Sequence, residues 1–280
     1  MTKFVRPDRC SMEPNITTTD LQRLFALKYG PSGPQGWTPK LRKRFDYYTP
    51  DDWYETLLER SVTPSTRWLE VGCGRSIFPS NPGLALELSK RCARLVGIDE
   101  SDNIADNPYI HAYQQVYLED FKTDEVFDLI TFRMVAEHVR DPDSLVAALA
   151  KRLAPGGRVV IYTVHRWSPV SVVAALTPMA VHHAIKGVLW ETEQRDTFPV
   201  EYRMNTRKEL KRLFAKGGFE EKSFRLLDDC RTFQRWEWTN YLELLAWKAL
   251  RAVGLKYPEL CVLATYGWAG PGDERSGAKA

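Results

Sequence analysis

The chain has 280 residues, a formal net charge of +3 and a hydrophobic fraction of 44%, which are ordinary values for a folded globular protein and exclude a highly charged disordered one. The charge is too small to indicate nucleic-acid binding, which needs a clustered basic face. Five scattered cysteines without a Cys-x-x-Cys pair favour a reducing compartment over disulfides or structural zinc. Because no apolar run reaches the ~20 residues of a membrane span and none resembles a signal peptide, we expect a cytoplasmic protein.

Residues 1–66 precede the regular part of the sequence and are predicted to form cap helices joined by a loop. Apolar spacing predicts a helix over Leu21–Tyr29. The Pro- and Gly-rich stretch Gly30–Pro39 is predicted to be a loop. A second helix is expected over Pro50–Arg60, because its first turn carries acidic residues that suit the positive end of the helix dipole.

From Arg67 onward, short apolar segments alternate with helical patterns. The predicted strands are Trp68–Val71, Arg94–Asp99, Tyr113–Tyr117, Phe127–Phe132, Arg158–Val164, Phe219–Arg225 and Leu260–Tyr266. The predicted helices are Pro82–Ala93, Asp143–Leu153 and Thr206–Lys216. This alternation indicates an α/β fold with a doubly wound, mostly parallel seven-stranded sheet and helices on both faces.

Two long segments, Arg166–Tyr202 and Leu226–Pro258, do not fit the alternation. Long connections inside a compact domain usually carry function or extra structure. We therefore interpret residues 67–165 as the ligand-binding core, 166–202 as a helical cap over the acceptor pocket, and 203–280 as the rest of the core with a helical insertion at 226–258. Apolar residues at helical spacing in that insertion favour core packing or a homodimer contact over a membrane-surface helix.

The stretch Glu70-Val-Gly-Cys-Gly74 ends the first predicted strand in a glycine turn, where an open α/β sheet binds its ligand. A dinucleotide fingerprint needs a third glycine three positions after Gly74, and Ile77 stands there instead. Glu70 would repel a pyrophosphate and attract an ammonium group, while Asp99 at the tip of the second strand could accept both hydroxyls of a ribose. The sequence therefore predicts a ligand with a cationic amine and a ribose, and disfavours a nicotinamide-dependent oxidoreductase.

Five motifs in order resemble the seven-stranded class I S-adenosylmethionine-dependent methyltransferases, in their small-molecule branch. They are LEVGCG, LVGID, Glu119-Asp-Phe121, FDLITFRMVAEHV and LAPGGRVVIYT, and together they cover roughly Arg67–Phe219. The resemblance implies a Rossmann-like core, S-adenosyl-L-methionine as the cofactor, and transfer of its methyl group to a small acceptor. A protein that binds the cofactor without catalysis would keep the same motifs and is the remaining alternative.

The resemblance also assigns roles around the glycine turn. Glu70 would lie near the methionyl amine, and Gly72 and Gly74 would give the methionyl portion close access to the backbone. Asp99 would bind the ribose diol. Arg75 would either reach the methionyl carboxylate or lie on the surface.

Further residues are placed by the resemblance near adenine and the sulfonium. Glu119 and Asp120 fall where the family contacts adenine, with Phe121 against the ring; the alternatives are a turn cap for Asp120 and a core position for Phe121. Arg133 and Met134 would line the wall near the sulfonium. Arg133 could instead pair with the carboxylate four residues further on.

Methyl transfer to an oxygen needs a positioned acceptor, exclusion of water and a general base when the pKa of the acceptor is high. His138 and His165, after strands four and five, are the candidate catalytic bases, with a packing role as the alternative for His138. No metal site is expected, because no Cys, His and carboxylate cluster has ligand spacing. A DNA acceptor is disfavoured, because Arg133-Met-Val-Ala136 replaces the Asn/Asp-Pro-Pro-aromatic motif. We expect a glycan, a lipid or a secondary metabolite.

Overall fold

The computed structural model describes residues 15–30, 33–169, 200–268 and 270. Three helices come first: α1 (Thr18–Tyr29), α2 (Trp37–Phe45) and α3 (Pro50–Ser61). Strands and helices then follow in the order β1 (Arg67–Val71), α4 (Pro82–Arg91), β2 (Arg94–Asp99), β3 (Ala112–Gln115), β4 (Phe127–Arg133), α5 (Pro142–Arg152), β5 (Leu153–Val164), α6 (Arg207–Lys216), β6 (Phe219–Asp228), α7 (Glu237–Ala252) and β7 (Glu259–Trp268).

The seven strands form one sheet in the order β3-β2-β1-β4-β5-β7-β6. β7 runs antiparallel to both of its neighbours, and the other pairs are parallel. β6 therefore runs in the same direction as β5, and the strands other than β7 all end at one edge, which we call the carboxyl edge. The strand order reverses between β1 and β4, the switch point at which open α/β sheets bind ligands. The predicted seven-stranded, mostly parallel sheet is confirmed.

Alternate residues of each strand pack on opposite faces of the sheet, as the period of two requires. On one face Leu69, Val96 and Ile130 pack with apolar residues of α5 and α6. On the other face Trp68 and Leu95 pack with apolar residues of α1, α3 and α4. Both faces are covered, which is why the central strands read as nearly continuous apolar runs.

The N-terminal helices begin where local chemistry satisfies their first N–H groups. Thr17 and Thr49 form capping boxes with the acids three residues later, at the starts of α1 and α3. The predicted loop Gly30–Pro39 is wrong at its end, because α2 already begins at Trp37. Pro39 is tolerated there, since the N–H groups of a first helical turn have no intrahelical partner in any case.

Buried ion pairs hold α3 against α1 and α2. The Lys28 ammonium lies 3.2 Å from an oxygen of Asp52 and 3.1 Å from one of Glu55. The Arg42 guanidinium lies 3.2 Å from the other oxygen of Asp52. These contacts fix α3 over the sheet, and the first turn of α3 reaches the carboxyl edge through Asp51.

The insertion predicted at 226–258 contains the end of β6 and the helix α7, which packs through Leu244 and Trp247 against α2. The cap predicted at 166–202 falls largely on residues 170–199, outside the described part, as do His182 and His183. None of the described helices is long and apolar enough to cross a membrane. The homodimer contact and the cytoplasmic location stay predictions.

Candidate active site

The N–H groups of the glycine turn after β1 donate hydrogen bonds to residues at the end of β2. The N–H groups of Gly72 and Cys73 both donate to the carbonyl of Ile98, at 2.8 and 3.3 Å. The Gly74 N–H donates to Oδ2 of Asp99 at 2.9 Å. A pyrophosphate site needs such N–H groups to point at the ligand. In this turn these three are already bonded, and α4 begins only at Pro82.

Gly72 is required by the close approach of the segment that follows β4. Its backbone has φ of 67°, in the left-handed region that favours glycine. A Cβ at this position would collide with a methyl group of Val135. Met134 next to it also has a positive φ, 53°, although it is not glycine, and its N–H donates to the carbonyl of Tyr162 at 2.7 Å. Backbone strain of this kind concentrates at functional sites.

Asp99 lies at the tip of β2 with acceptor capacity left over. Its Oδ2 accepts from Gly74 and its Oδ1 accepts from the Ser101 N–H at 2.8 Å. Each carboxylate oxygen has a second lone pair. The buried Oδ1 of Asn103 has no hydrogen-bond partner among the described residues and lies 3.9 Å from the place of a Cβ on Gly74. The turn thus has unused acceptors beside bonded N–H groups, which suits the hydroxyl and amine donors of a nucleoside with a cationic amino acid.

Glu70 does not act as the sequence suggested. Its side chain is 1% exposed and points into the interior, where it accepts a hydrogen bond from the Thr131 hydroxyl. That hydroxyl in turn accepts from the Trp68 indole N–H at 2.5 Å. Burial raises the pKa of Glu70 to about 8, so the carboxyl retains its proton at neutral pH. The raised pKa opposes the predicted attraction between a Glu70 carboxylate and an ammonium group, and the place of Glu70 near the methionyl amine stays a prediction.

Arg133 at the end of β4 belongs to a buried chain of charges. Its guanidinium donates to Oδ1 of Asp51 at 2.9 Å, and Arg231 donates to Oδ2 of the same carboxylate at 2.6 Å. Arg231 also pairs with both oxygens of Asp229. The alternative pairing of Arg133 with the carboxylate four residues on is wrong. The chain links β4, α3 and the segment after β6 at the carboxyl edge.

Residues 41–222 match the family model described as "Methyltransferase domain". The chain belongs to this methyltransferase family. The match confirms the methyltransferase family recognised in the sequence.

Curated relatives of this methyltransferase are named ubiquinone biosynthesis O-methyltransferases. The one from Aeromonas salmonicida is 34% identical over 110 residues, which are 36% of this chain and 44% of the relative. The one from Xanthomonas campestris pv. campestris is 25% identical over 202 residues, 64% of this chain and 78% of the relative. The chain spans about half the length of the first curated relatives it matches. A solved structure, titled putative S-adenosylmethionine dependent methyltransferase from Listeria monocytogenes, has 14% identity, covers 78% of this chain and 98% of its own, and gives a TM-score of 0.49.

Of the three residues predicted near adenine, two are exposed and one is buried in the core. Glu119 and Asp120 are exposed after the end of β3, and the Asp120 carboxylate forms no hydrogen bond or ion pair with the described residues. Phe121 is a core residue, 3% exposed, packed against Phe127 and covered by the Arg152 guanidinium 5.6 Å from its ring centre. For Phe121 the structure therefore supports the core position over a place against the adenine ring.

Arg75 lies on the surface rather than over the glycine turn. Its side chain is 67% exposed, and its Nε is 3.5 Å from a carboxylate oxygen of Asp106. Of its two predicted roles, the surface one agrees with this position, and the contact with a methionyl carboxylate stays a prediction. Exposed ion pairs of this kind contribute little to stability.

His138 is the last residue of a short 3₁₀ turn, Ala136–His138, and the buried Glu137 holds this turn in place. Glu137 accepts a hydrogen bond from the Thr163 hydroxyl of β5 at 2.6 Å, and its pKa is raised by burial. The Asn205 amide donates to the same hydroxyl at 2.9 Å. The His138 Nε2 lies 4.0 Å from the nearer Glu137 oxygen. The turn fixes His138 beside the end of β4, and its role as a base stays a prediction.

His165, the second candidate base, follows β5 and lines a cavity of about 700 Å³ at the carboxyl edge. The walls come from β6, the connection between α2 and α3, and the end of α7; they include Tyr48, Trp53, Phe224, Trp247 and Tyr257. The glycine turn is not part of these walls. A cavity of this size can hold a small molecule.

Three polar residues at the site have no role in the sequence prediction. Asn103 faces the glycine turn. The Asn107 amide donates to the carbonyls of Cys73 and Gly74, at 3.2 and 3.0 Å, and so holds the turn from outside. Arg231 reaches Asp51 across 180 positions of sequence. Asn103 and Asn107 lie a few positions after Asp99, so their place in the sequence could have indicated that they are near the site. No local pattern indicates Arg231.

The described residues contain no group of three or more His, Cys, Asp or Glu side chains that could hold a metal ion.

Proposed function

We propose that this chain methylates a small acceptor, at an oxygen, with S-adenosyl-L-methionine as the methyl donor. The observation that carries the proposal is the glycine turn: the N–H groups of Gly72, Cys73 and Gly74 are bonded within the protein, while Asp99 and Asn103 keep unused acceptors. The O-methyltransferase names of the curated relatives support oxygen as the acceptor atom. The same use of the N–H groups disfavours the nicotinamide-dependent alternative.

Each residue of the proposed site has a separate role in the in-line displacement. S-adenosylmethionine, when bound, supplies a methyl group already activated on a sulfonium. Asp99 accepts the ribose hydroxyls, and Gly72 lets the segment after β4 close over the turn. His138 takes the proton from the acceptor hydroxyl, with His165 as the second candidate. The charge chain around Asp51 ties α3 to β4, which holds the wall beside the reacting groups and excludes water.

The cofactor assignment is tested by replacing Asp99 with alanine. We expect the affinity for S-adenosylhomocysteine to fall by about thirtyfold or more, because hydrogen bonds to a charged acceptor contribute about 1.5–3 kcal/mol each. Isothermal titration calorimetry measures the change. The control is Asp124→Ala, an exposed aspartate in the loop before β4, which should bind as the wild type does. Equal affinity in the Asp99 and Asp124 variants would contradict the ribose assignment.

The base is tested by replacing His138 with alanine. We expect the rate of S-adenosylhomocysteine release, with a low-molecular-weight metabolite extract as the acceptor source, to fall by about 10²-fold or more, the usual contribution of a general base. The affinity for S-adenosylhomocysteine should not change. His165→Ala is the comparison, and a larger loss in that variant would exchange the two roles. Wild-type rates in both variants would contradict base catalysis by either histidine.

A further inference from the structure

The cavity at the carboxyl edge is lined by apolar and charged side chains, and two of its arginines lie over aromatic rings. The Arg225 guanidinium lies 5.1 Å from the centre of the Trp53 ring. The Arg251 guanidinium lies 4.9 Å from the centre of the Trp247 ring. All four side chains line the cavity. A guanidinium stacked on a ring keeps its N–H donors in its own plane, where they can meet a carboxylate or another oxyanion.

The acidic groups of the cavity already have partners. Asp46 accepts from the Tyr48 hydroxyl at 2.6 Å, and Asp228 accepts from the Trp247 indole N–H at 2.6 Å. Glu259 pairs with Lys256 at 2.8 Å. Burial raises the pKa of Asp228, and the positive charge of Arg251 opposes that rise. Glu259 is thus paired with a cation, while Asp46 and Asp228 are hydrogen-bonded to neutral donors.

The two arginines over these rings differ from Glu259, because no carboxylate of the described residues pairs with either of them directly. Arg225 donates to the side-chain oxygen of Asn15 at 3.2 Å, which is a neutral acceptor. Neither Arg225 nor Arg251 forms an ion pair with any of the described residues. The third arginine of the lining, Arg207, differs, because it pairs with Glu221 at 2.6 Å. Arg225 therefore has no carboxylate partner within the described walls, and Arg251 acts on Asp228 through its charge without forming an ion pair.

The cavity also lies where an acceptor must lie. Its walls include the residues that end β6, Leu226 to Asp228, and His165 after β5. In the strand order, β5 and β6 lie on the side of β4 that is away from β2 and Asp99. The end of β4 is followed by Met134 and by the 3₁₀ turn of His138. A cofactor over β1 and β2 and an acceptor in this cavity would lie on opposite sides of β4.

We infer that this cavity binds the methyl acceptor, and that the acceptor combines an aromatic or apolar skeleton with an acidic group held by Arg225 and Arg251. The inference rests on the proposed methyltransferase function. It selects an anionic aromatic hydroxy compound from the wider range of glycans, lipids and secondary metabolites. Rings pack on Trp53 and Trp247, and the acidic group accepts from guanidinium N–H groups that form no ion pair within the described walls.

Two fluorescent probes of nearly equal shape test the charge preference. 8-Anilino-1-naphthalenesulfonate carries an acidic group, and N-phenyl-1-naphthylamine is the same skeleton without it. Both are titrated into the full chain in the presence of saturating S-adenosylhomocysteine, which keeps them out of the cofactor site. We expect the wild type to bind the sulfonate at least about tenfold more tightly, because charge-assisted hydrogen bonds are about twice as strong as neutral ones.

The variant R225Q/R251Q should lose this preference and bind the two probes alike. The control K211Q removes an exposed charge of α6 outside the cavity and should keep the full preference. Because Arg251 is exposed, R251Q alone is expected to fold and to lose part of the preference. An equal affinity of the wild type for both probes, or an unchanged preference in the double variant, would overturn the inference.

Calorimetry with S-adenosylhomocysteine separates the two proposals. Wild type, R225Q/R251Q and K211Q should bind it equally, since none of these residues touches the glycine turn. If the wild type binds S-adenosylhomocysteine but binds the sulfonate probe no more tightly than the uncharged one, the acceptor class alone is overturned. Failure of the wild type to bind S-adenosylhomocysteine overturns the proposed function, and the acceptor assignment with it.

Discussion

Replacing Asp51 by alanine is expected to lower the free energy of unfolding by about 3 kcal/mol, the range found when one member of a buried ion pair is removed. The Asp51 side chain is 7% exposed and faces Arg133 and Arg231 at 2.9 and 2.6 Å. Burial alone would raise the pKa of this carboxyl, but the two guanidinium groups hold it well below its usual range. Without Asp51, two largely buried cations would lie side by side with Asp229 as their remaining partner.

Urea unfolding at neutral pH measures this effect, and Asp143→Ala provides the matched control. Asp143 also pairs with a cation, Lys216, at 2.7 Å, but both side chains are more than half exposed. Exposed pairs contribute little, so the control should unfold like the wild type. If the Asp51 and Asp143 variants lost the same stability, the charge chain would not be a structural element of the site.

Replacing Glu70 by glutamine is expected to make the protein more stable than the wild type at pH 8 to 9, by about 5 kcal/mol at 1.36 kcal/mol per pKa unit, and to have little effect near pH 4.5. Burial raises the pKa of Glu70 from 4.5 to about 8. An acid with a raised folded-state pKa takes up a proton on folding, so its full stability is present below the unfolded pKa. That stability is lost as the pH rises through the folded-state pKa. Glutamine keeps the acceptor for Thr131 but cannot ionise.

The difference in unfolding free energy between wild type and Glu70→Gln, followed from pH 4.5 to pH 9, isolates this one group. Other titrating groups contribute equally to both proteins and cancel. Glu119→Gln, at an exposed position after β3, should show no pH-dependent difference from the wild type. A difference for Glu70→Gln that did not grow between pH 5 and pH 8 would mean that this carboxyl is ionised in the folded protein.

The sheet could be predicted from sequence because its signals are local. Apolar runs of strand length, the glycines after β1 and the acid that ends β2 each specify a structure within a few residues. Asp99 lies at the tip of β2, as the sequence predicted, and there its carboxylate accepts from the Gly74 N–H. The positions of these backbone turns follow from chain geometry, which depends little on distant residues.

The side-chain environment of the site could not be predicted in the same way. Whether Glu70 faces a ligand or the interior depends on Thr131, 61 positions away, and on the packing of α3. The partner of Arg133 is Asp51 rather than a neighbour on its own element, because α3 brings a second carboxylate to the end of β4. Long-range contacts decide burial, and burial decides which acids ionise.

The central claim is that the turn after β1 holds a nucleoside with a cationic amino acid and not a dinucleotide. Calorimetry of the wild-type chain with S-adenosylhomocysteine and with NAD tests it most directly. We expect one molecule of S-adenosylhomocysteine to bind per chain and NAD to give no heat of binding. Binding of NAD, with no binding of S-adenosylhomocysteine, would contradict the claim.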